Sequence, residues 1–138
     1  MKKFIALVLG VFLMFAFTAC KPVNPETPVH VVKYEITAEA EKTVPHVDAD
    51  GVTRTSTVKT PAVLNISYSE DRTSGTNVLN VGVPWQKQIE VSELENLTIL
   101  GIRADADVKT ITARLYIDGT LYAEKTDPAY CRIDYKPY

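Results

Sequence analysis

Apolar residues at every second position constrain what this chain can fold into more than any other feature of it. Ile111, Ala113, Leu115 and Ile117 alternate with Thr112, Arg114 and Tyr116. Successive side chains on a strand point to opposite faces, so such a run buries one face and wets the other. Ile117-Asp118-Gly119-Thr120 follows directly, and a two-residue Asp-Gly loop between alternating strands is a type I′ hairpin with positive φ at both central residues. Leu121 to Lys125 is then its return strand. The same period recurs in Val32, Tyr34, Ile36 and in Leu64, Ile66, Tyr68, while Leu79, Val81, Val83 and Trp85 share a third face. Gln88 to Ser92 and Tyr130 to Tyr135 read as short strands. Leu97 to Ala104 reads as a longer one whose apolar phase switches near Gly101, the mark of a bulge. Ser92-Glu93-Leu94-Glu95 matches a helix-capping pattern, but a tight loop is the better reading. Seven or eight short antiparallel strands with no amphipathic helix between them predict an all-β fold, an immunoglobulin-like β-sandwich with Greek-key connections.

The first twenty residues obey a different rule. MKKFIALVLGVFLMFAFTAC is two lysines, an unbroken apolar run from Phe4 to Phe17, and a small-residue exit at Thr18-Ala19 before Cys20. This is the layout of an export signal. At about 1.5 Å per residue the run makes roughly 21 Å of helix, short of the roughly 30 Å hydrocarbon core of a bilayer. Phe17-Thr18-Ala19-Cys20 resembles the lipobox of bacterial lipoproteins, with Phe17 where Leu is usual. The resemblance implies a signal peptide over 1–19, cleavage after Ala19, and thioether-linked diacylglycerol on Cys20 with acylation of the new N-terminus. Two or more acyl chains give stable anchoring where one gives only marginal binding. Lys21 stands where enteric lipoproteins retained at the inner membrane commonly carry Asp, which favours the outer membrane over the inner one.

Residues 20–28, CKPVNPETP, hold three prolines and no apolar period. They read as an extended tether of about 3.1 Å per residue, leaving 29–138 as one domain. Loss of Lys2 and Lys3 takes the net charge from −2 to −4, and no clustered basic face suggests nucleic acid.

Candidate chemistry is sparse. His30, His46 and Cys131 are too far apart in sequence to suggest a metal site, and no cofactor motif is present. Asp48-Ala49-Asp50-Gly51 shares features with a calcium loop but lacks the sixth-position glycine and closing Glu of an EF-hand, so a turn is the better reading. No Gly-x-Ser-x-Gly elbow occurs, and Cys131, in phase with Ile133 and Tyr135, reads as a buried structural thiol. Asp105 and Asp107 read as solvated acids at a turn. Trp85 is a core plug or a ligand platform, with its phase favouring the core. Tyr116 and Tyr122, with Asp118 and Gly119 between them, fall on the face opposite Leu115 and Leu121. They form either a binding surface or a plain cross-strand pair. Asn65 and Asn96 begin Asn-x-Ser/Thr triplets, which the bacterial lipobox makes irrelevant.

Tyr34-Glu35-Ile36-Thr37, Val83-Pro84-Trp85, Ile111-Thr112-Ala113-Arg114-Leu115-Tyr116-Ile117-Asp118-Gly119 and Ala129-Tyr130-Cys131-Arg132 resemble, in this order, the landmarks of the MmpS family. These are small mycobacterial membrane proteins that accompany RND-type exporters of lipids and siderophores. The likeness spans roughly Leu64 to Cys131 plus the first strand and leaves Ala38 to Thr60 as an insertion. It implies a periplasmic β-sandwich and proximity of Ala113 to Cys131, because the family often carries a cysteine at the former position. The chain departs from the family in having a lipobox instead of an uncleaved membrane helix, and Ala in place of that cysteine.

The expected function is a lipid-anchored, non-catalytic accessory or binding protein of the cell envelope. Its partners are the membrane, through Cys20, and an integral membrane transporter or another envelope protein. An accessory subunit of an envelope exporter is its most specific form. The alternative is a surface-displayed ligand-binding or adhesion module.

Overall fold

The computed structural model describes residues 27–137. The signal segment, Cys20 and most of the tether lie outside the described residues. Nine strands follow one another: β1 (His30–Val47), β2 (Thr53–Thr60), β3 (Val63–Ser69), β4 (Gly75–Gly82), β5 (Trp85–Val91), β6 (Thr98–Arg103), β7 (Val108–Ile117), β8 (Thr120–Asp127) and β9 (Tyr130–Asp134). They form two antiparallel sheets, consistent with a β-sandwich. The first sheet runs β2-β1-β7-β8 with β5 also on β1, and the second runs β4-β3-β6-β9.

The core is the sum of the alternating runs. Val32, Tyr34 and Ile36 from β1 and Ile111, Ala113 and Leu115 from β7 are fully buried, as are Leu64 from β3, Ile99 from β6 and Cys131 from β9. The Tyr34 hydroxyl reaches across the sandwich to donate to the Ser69 carbonyl at 3.1 Å, and its ring stacks on Tyr68 at 5.8 Å between centroids. Burial raises the Tyr34 phenol above its ordinary value, because the charged form would lose its water.

Two expectations are corrected. β6 keeps one phase throughout: Leu97, Ile99 and Gly101 are all buried, and its registers with β3 and β9 run without a shift. A Cβ on Gly101 would lie 3.0 Å from Ile36 Cδ1 and 3.3 Å from Ile111 Cγ2. The apparent phase switch is therefore a glycine on the inward face, there because the facing isoleucines leave no room. The run from Leu79 to Trp85 is two strands in different sheets, separated by a cis Val83–Pro84 peptide. Its register shifts beside Asn80, which has φ 54°, and Leu79 is 71% exposed while Val78 and Val81 pack on the core. The segment from Ala38 to Thr60 forms the far end of β1 and all of β2, so the described residues hold nine strands. Gly51, with φ 75°, turns the chain between them.

β1 organises the first sheet. β7 pairs with it from Val32 to Ala40, while β5 pairs with His30–Ile36 and β2 with Ala40–Val47. Residues Val32–Ile36 pair with both β5 and β7, and Ala40 pairs with both Thr60 and Val108. A strand has two edges, so β5 and β2 share the edge opposite β7.

Candidate functional site

The outer face of the first sheet is a polar grid whose rows follow from the registers. Gln88, Lys33 and Tyr116 lie side by side, then Gln86, Glu35, Arg114 and Glu124, then Thr37, Thr112 and Thr126. The Lys33 ammonium donates to Glu35 Oε1 at 2.7 Å, and the Tyr116 hydroxyl donates to Glu35 Oε2 at 3.1 Å. Lys33 Nζ also sits 4.2 Å from the centre of the Tyr116 ring, a cation–π contact. Arg114 is paired with Glu124. The hydrogen bond from Lys33, then that from Tyr116, holds Glu35 below the usual carboxylate range. A carboxylate so held stays ionised near neutrality, which suits it to recognition and unfits it as a proton donor.

At one end of this grid β5 stops short and opens a notch of about 340 Å³, lined by Glu35, Thr37, Pro84, Trp85 and Gln86. Trp85 is half-buried. Its ring packs on Tyr68 at 5.3 Å between centroids while also lining the notch, so it acts as both core plug and cavity wall. An aromatic surface, a fixed carboxylate, an amide and a hydroxyl can bind a small polar group. The volume lies at the low end of the roughly 300–1,000 Å³ of small-molecule pockets.

The residues singled out in the sequence divide among separate places. Asp118 and Gly119 occupy the β7–β8 turn with φ 50° and 79°, both positive as a type I′ turn requires. Asp118 does more than turn the chain. Its N–H donates to the Val31 carbonyl at 2.8 Å, its Oδ1 accepts from the Val31 N–H at 2.9 Å, and its Oδ2 accepts from His30 Nδ1 at 2.7 Å. The turn thus clamps the point where the chain enters β1. The His30 hydrogen bond, then the Val31 N–H, holds the Asp118 carboxyl below its ordinary value. Among the described residues, Asp118 is the side chain that hydrogen-bonds His30, and no hydroxyl or thiol does so.

Tyr116 and Tyr122 do not form one patch. The β7–β8 register slips at Tyr116, which lies opposite Leu121 and leaves Tyr122 as the extra residue of a bulge. Tyr116 stays on the outer grid. Tyr122 instead stacks on Tyr135 at 4.9 Å between centroids and donates its hydroxyl proton to the Lys136 carbonyl at 3.1 Å. Strict alternation from Leu121 could not show this, because a bulge inverts the phase.

Cys131 is inward-facing and unpaired, its thiol donating to the Lys125 carbonyl at 3.0 Å. Burial pushes its pKa up, and the Ala113 backbone lies close enough to hydrogen-bond the sulfur. A protonated, buried thiol is a poor nucleophile. Asp48 accepts from the Asp50 and Val52 N–H groups at 3.1 and 3.0 Å and pairs with Arg54 at 2.6 Å, so the acidic loop is a turn. Among the described residues, no cluster of three metal-ligating side chains occurs. No protein-family model matches the chain, and no curated protein is detectably similar to it in sequence.

Proposed function

We propose that the protein is a lipid-anchored accessory or binding protein of the bacterial cell envelope. In this reading it carries no catalytic centre and serves a membrane-embedded partner, an exporter in the most specific form. The observation that carries the reading is the apolar run from Phe4 to Phe17 closed by Thr18-Ala19-Cys20 and followed at once by a proline-rich tether. The fold supports it in two ways. The β-strands begin at His30, just beyond the tether, and the entry point is held by three hydrogen bonds to Asp118, as suits a domain held by its N-terminus. The closeness of the Ala113 backbone to the Cys131 thiol also suits the alignment with MmpS proteins.

Mass spectrometry of the membrane fraction tests the anchor: the expected N-terminus is a diacylglyceryl-modified Cys20, and an intact Met1 or unmodified Cys20 overturns it. In vivo crosslinking followed by purification tests the partner, with recovery of a transporter or another envelope protein expected. Ala113→Cys tests the alignment, because facing cysteines on β7 and β9 should oxidise to a disulfide. Two free thiols after oxidation refute it.

The notch at Trp85 favours a second reading, a displayed ligand-binding module. Protease treatment of intact cells separates the two, since a surface domain is cut and a periplasmic one is protected.

A further inference from the structure

Beyond Ala40, β1 leaves the sandwich. β7 reaches only to Val108, opposite Ala40, and the last main-chain bond on that side runs from the Glu41 N–H to the Asp107 carbonyl at 2.9 Å. Among the described residues, β1 from Lys42 to Val47 pairs with β2 alone, and every side chain from Lys42 through Lys59 is exposed except that of Asp48, which is partly covered in the turn at the tip. This is a two-stranded arm in continuous register with no core of its own. A lone ribbon of this kind is marginal in water.

The directions of its main-chain groups follow from the fixed bonds. Val31 and Glu41 both bond toward the β7 side, and β1 runs through its pairings with β5 and β2 without a shift. N–H and C=O groups alternate between the two edges of a strand, so the odd residues of β1 face the β7 side and the even ones face β2. The arm's two free edges are then unlike. On the β1 edge, Pro45 stands where an outward N–H would be, and proline there blocks pairing. On the β2 edge, Thr53, Thr55, Thr57 and Lys59 present their N–H and C=O groups outward with no proline or bulge, and among the described residues no second strand pairs with them. Other edges are guarded: β4 by its bulge at Asn80, β5 by Lys87, which is in register with buried Tyr34 yet exposed, and β8 and β9 by the Tyr122–Tyr135 stack.

We infer that the β2 edge pairs antiparallel with the β2 edge of a second copy of this chain, joining two arms into a four-stranded sheet about a two-fold axis. The strand complements itself. With Ser56 on the axis, Thr55 lies opposite Thr57 of the second copy, Thr53 opposite Lys59, and Arg54 opposite Val58. No like charges face each other, and about eight main-chain hydrogen bonds form. The antiparallel arrangement also sets the tip of each arm, with Asp50 exposed, near the base of the other, with Lys59 exposed, so these two charges are of opposite sign. An isologous contact of this kind closes on itself and does not propagate. One strand edge is small beside the roughly 1,200–2,000 Å² of a standard interface, so the contact is reversible and covalent trapping reads it better than sizing.

The test is disulfide trapping in the full chain. Ser56 meets its own symmetry mate in a non-hydrogen-bonded pair with Cα atoms about 4.5 Å apart, within disulfide range. Ser56→Cys should give a covalent dimer under mild oxidation, and Thr43→Cys, on the proline-blocked edge, should give about tenfold less. Adding Thr55→Pro to Ser56→Cys should lower the dimer yield about tenfold, because it removes an outward N–H without touching a β1–β2 bond. Adding Thr55→Ala should leave the yield unchanged. The inference fails if Ser56→Cys yields no dimer, if Thr43→Cys yields as much, if Thr55→Pro has no effect, if Thr55→Ala abolishes the product, or if the trapped partner is only a different protein.

Discussion

The two halves of β1 are one continuous strand in two opposite environments. Up to Ala40 it lies over the core, with strands on both edges from Val32 to Ile36, and Val32, Tyr34 and Ile36 are fully buried. From Lys42 to Val47 it has one neighbour and no core, and Val44 and Val47 stand in solvent. Both halves carry β-favouring residues in regular register. Stability therefore divides between them by burial and not by hydrogen-bond pattern, since intramolecular hydrogen bonds largely exchange with those to water while apolar burial does not.

The largest expected effects lie in the first half and its neighbours. Leu115 is fully buried opposite Tyr34 in the β1–β7 register, and Leu115→Ala should cost about 3 kcal/mol, read from the midpoint of chemical denaturation. A loss below about 1 kcal/mol would mean that this core is loosely packed. Gly101→Val should cost about 2 kcal/mol by the opposite mechanism. Its side chain would enter space already held by Ile36 Cδ1 and Ile111 Cγ2, and filled cores resist added volume.

A smaller, pH-dependent effect belongs to Asp118 at the entrance to β1. Asparagine also tolerates positive φ, so Asp118→Asn removes the charge and spares the turn. The native carboxyl is held below its ordinary value of 3.8 by the His30 hydrogen bond and then by the Val31 N–H, so the unfolded chain binds the proton more tightly than the native one. The carboxylate's stabilising contribution is fully present above pH 3.8 and is lost as pH falls through the lower native value. Wild type should therefore be the more stable at neutral pH, with the gap to Asp118→Asn closing below about pH 4. A gap that does not change with pH would show that His30 and Val31 serve a neutral acceptor equally well.

The division between the halves was only partly legible in the sequence. Val32, Tyr34 and Ile36, and Ile111 to Ile117 with the Asp118-Gly119 turn, announce their strands because core contact on one face imposes alternation. Gly101 misled because a glycine on the inward face resembles a break in hydrophobic phase, and only the facing isoleucines explain it. Tyr122 misled because a bulge shifts phase without any marker in composition. The arm was hidden for a different reason: with neither face buried, Lys42 to Lys59 shows no apolar alternation, and its β character rests on threonine and valine content alone. The notch at Trp85 depends on where β5 and β2 stop along a shared edge, which is a relation between distant segments. Of its lining residues, Trp85 alone carried a sign of it in the sequence, as a core plug or a ligand platform.

The smallest expected effect is in the arm, and it separates a ribbon held by burial from one held by pairing. Val58 is 46% exposed, so Val58→Ala should change unfolding free energy by no more than about 0.5 kcal/mol. Amide exchange gives the finer reading, because opening of an unburied ribbon is local while the core opens only with the whole fold. In a lone ribbon, the Ser56 N–H faces β1 and should be modestly protected, while the Thr55 and Thr57 N–H groups face outward and should exchange nearly as fast as in a free chain. As protein concentration rises, pairing through β2 should protect Thr55 and Thr57 and leave Thr43, on the edge that carries Pro45, unchanged. Equal protection of Thr43 and Thr55 at every concentration would mean that the two edges of the arm are alike, and that the proline marks no preference between them.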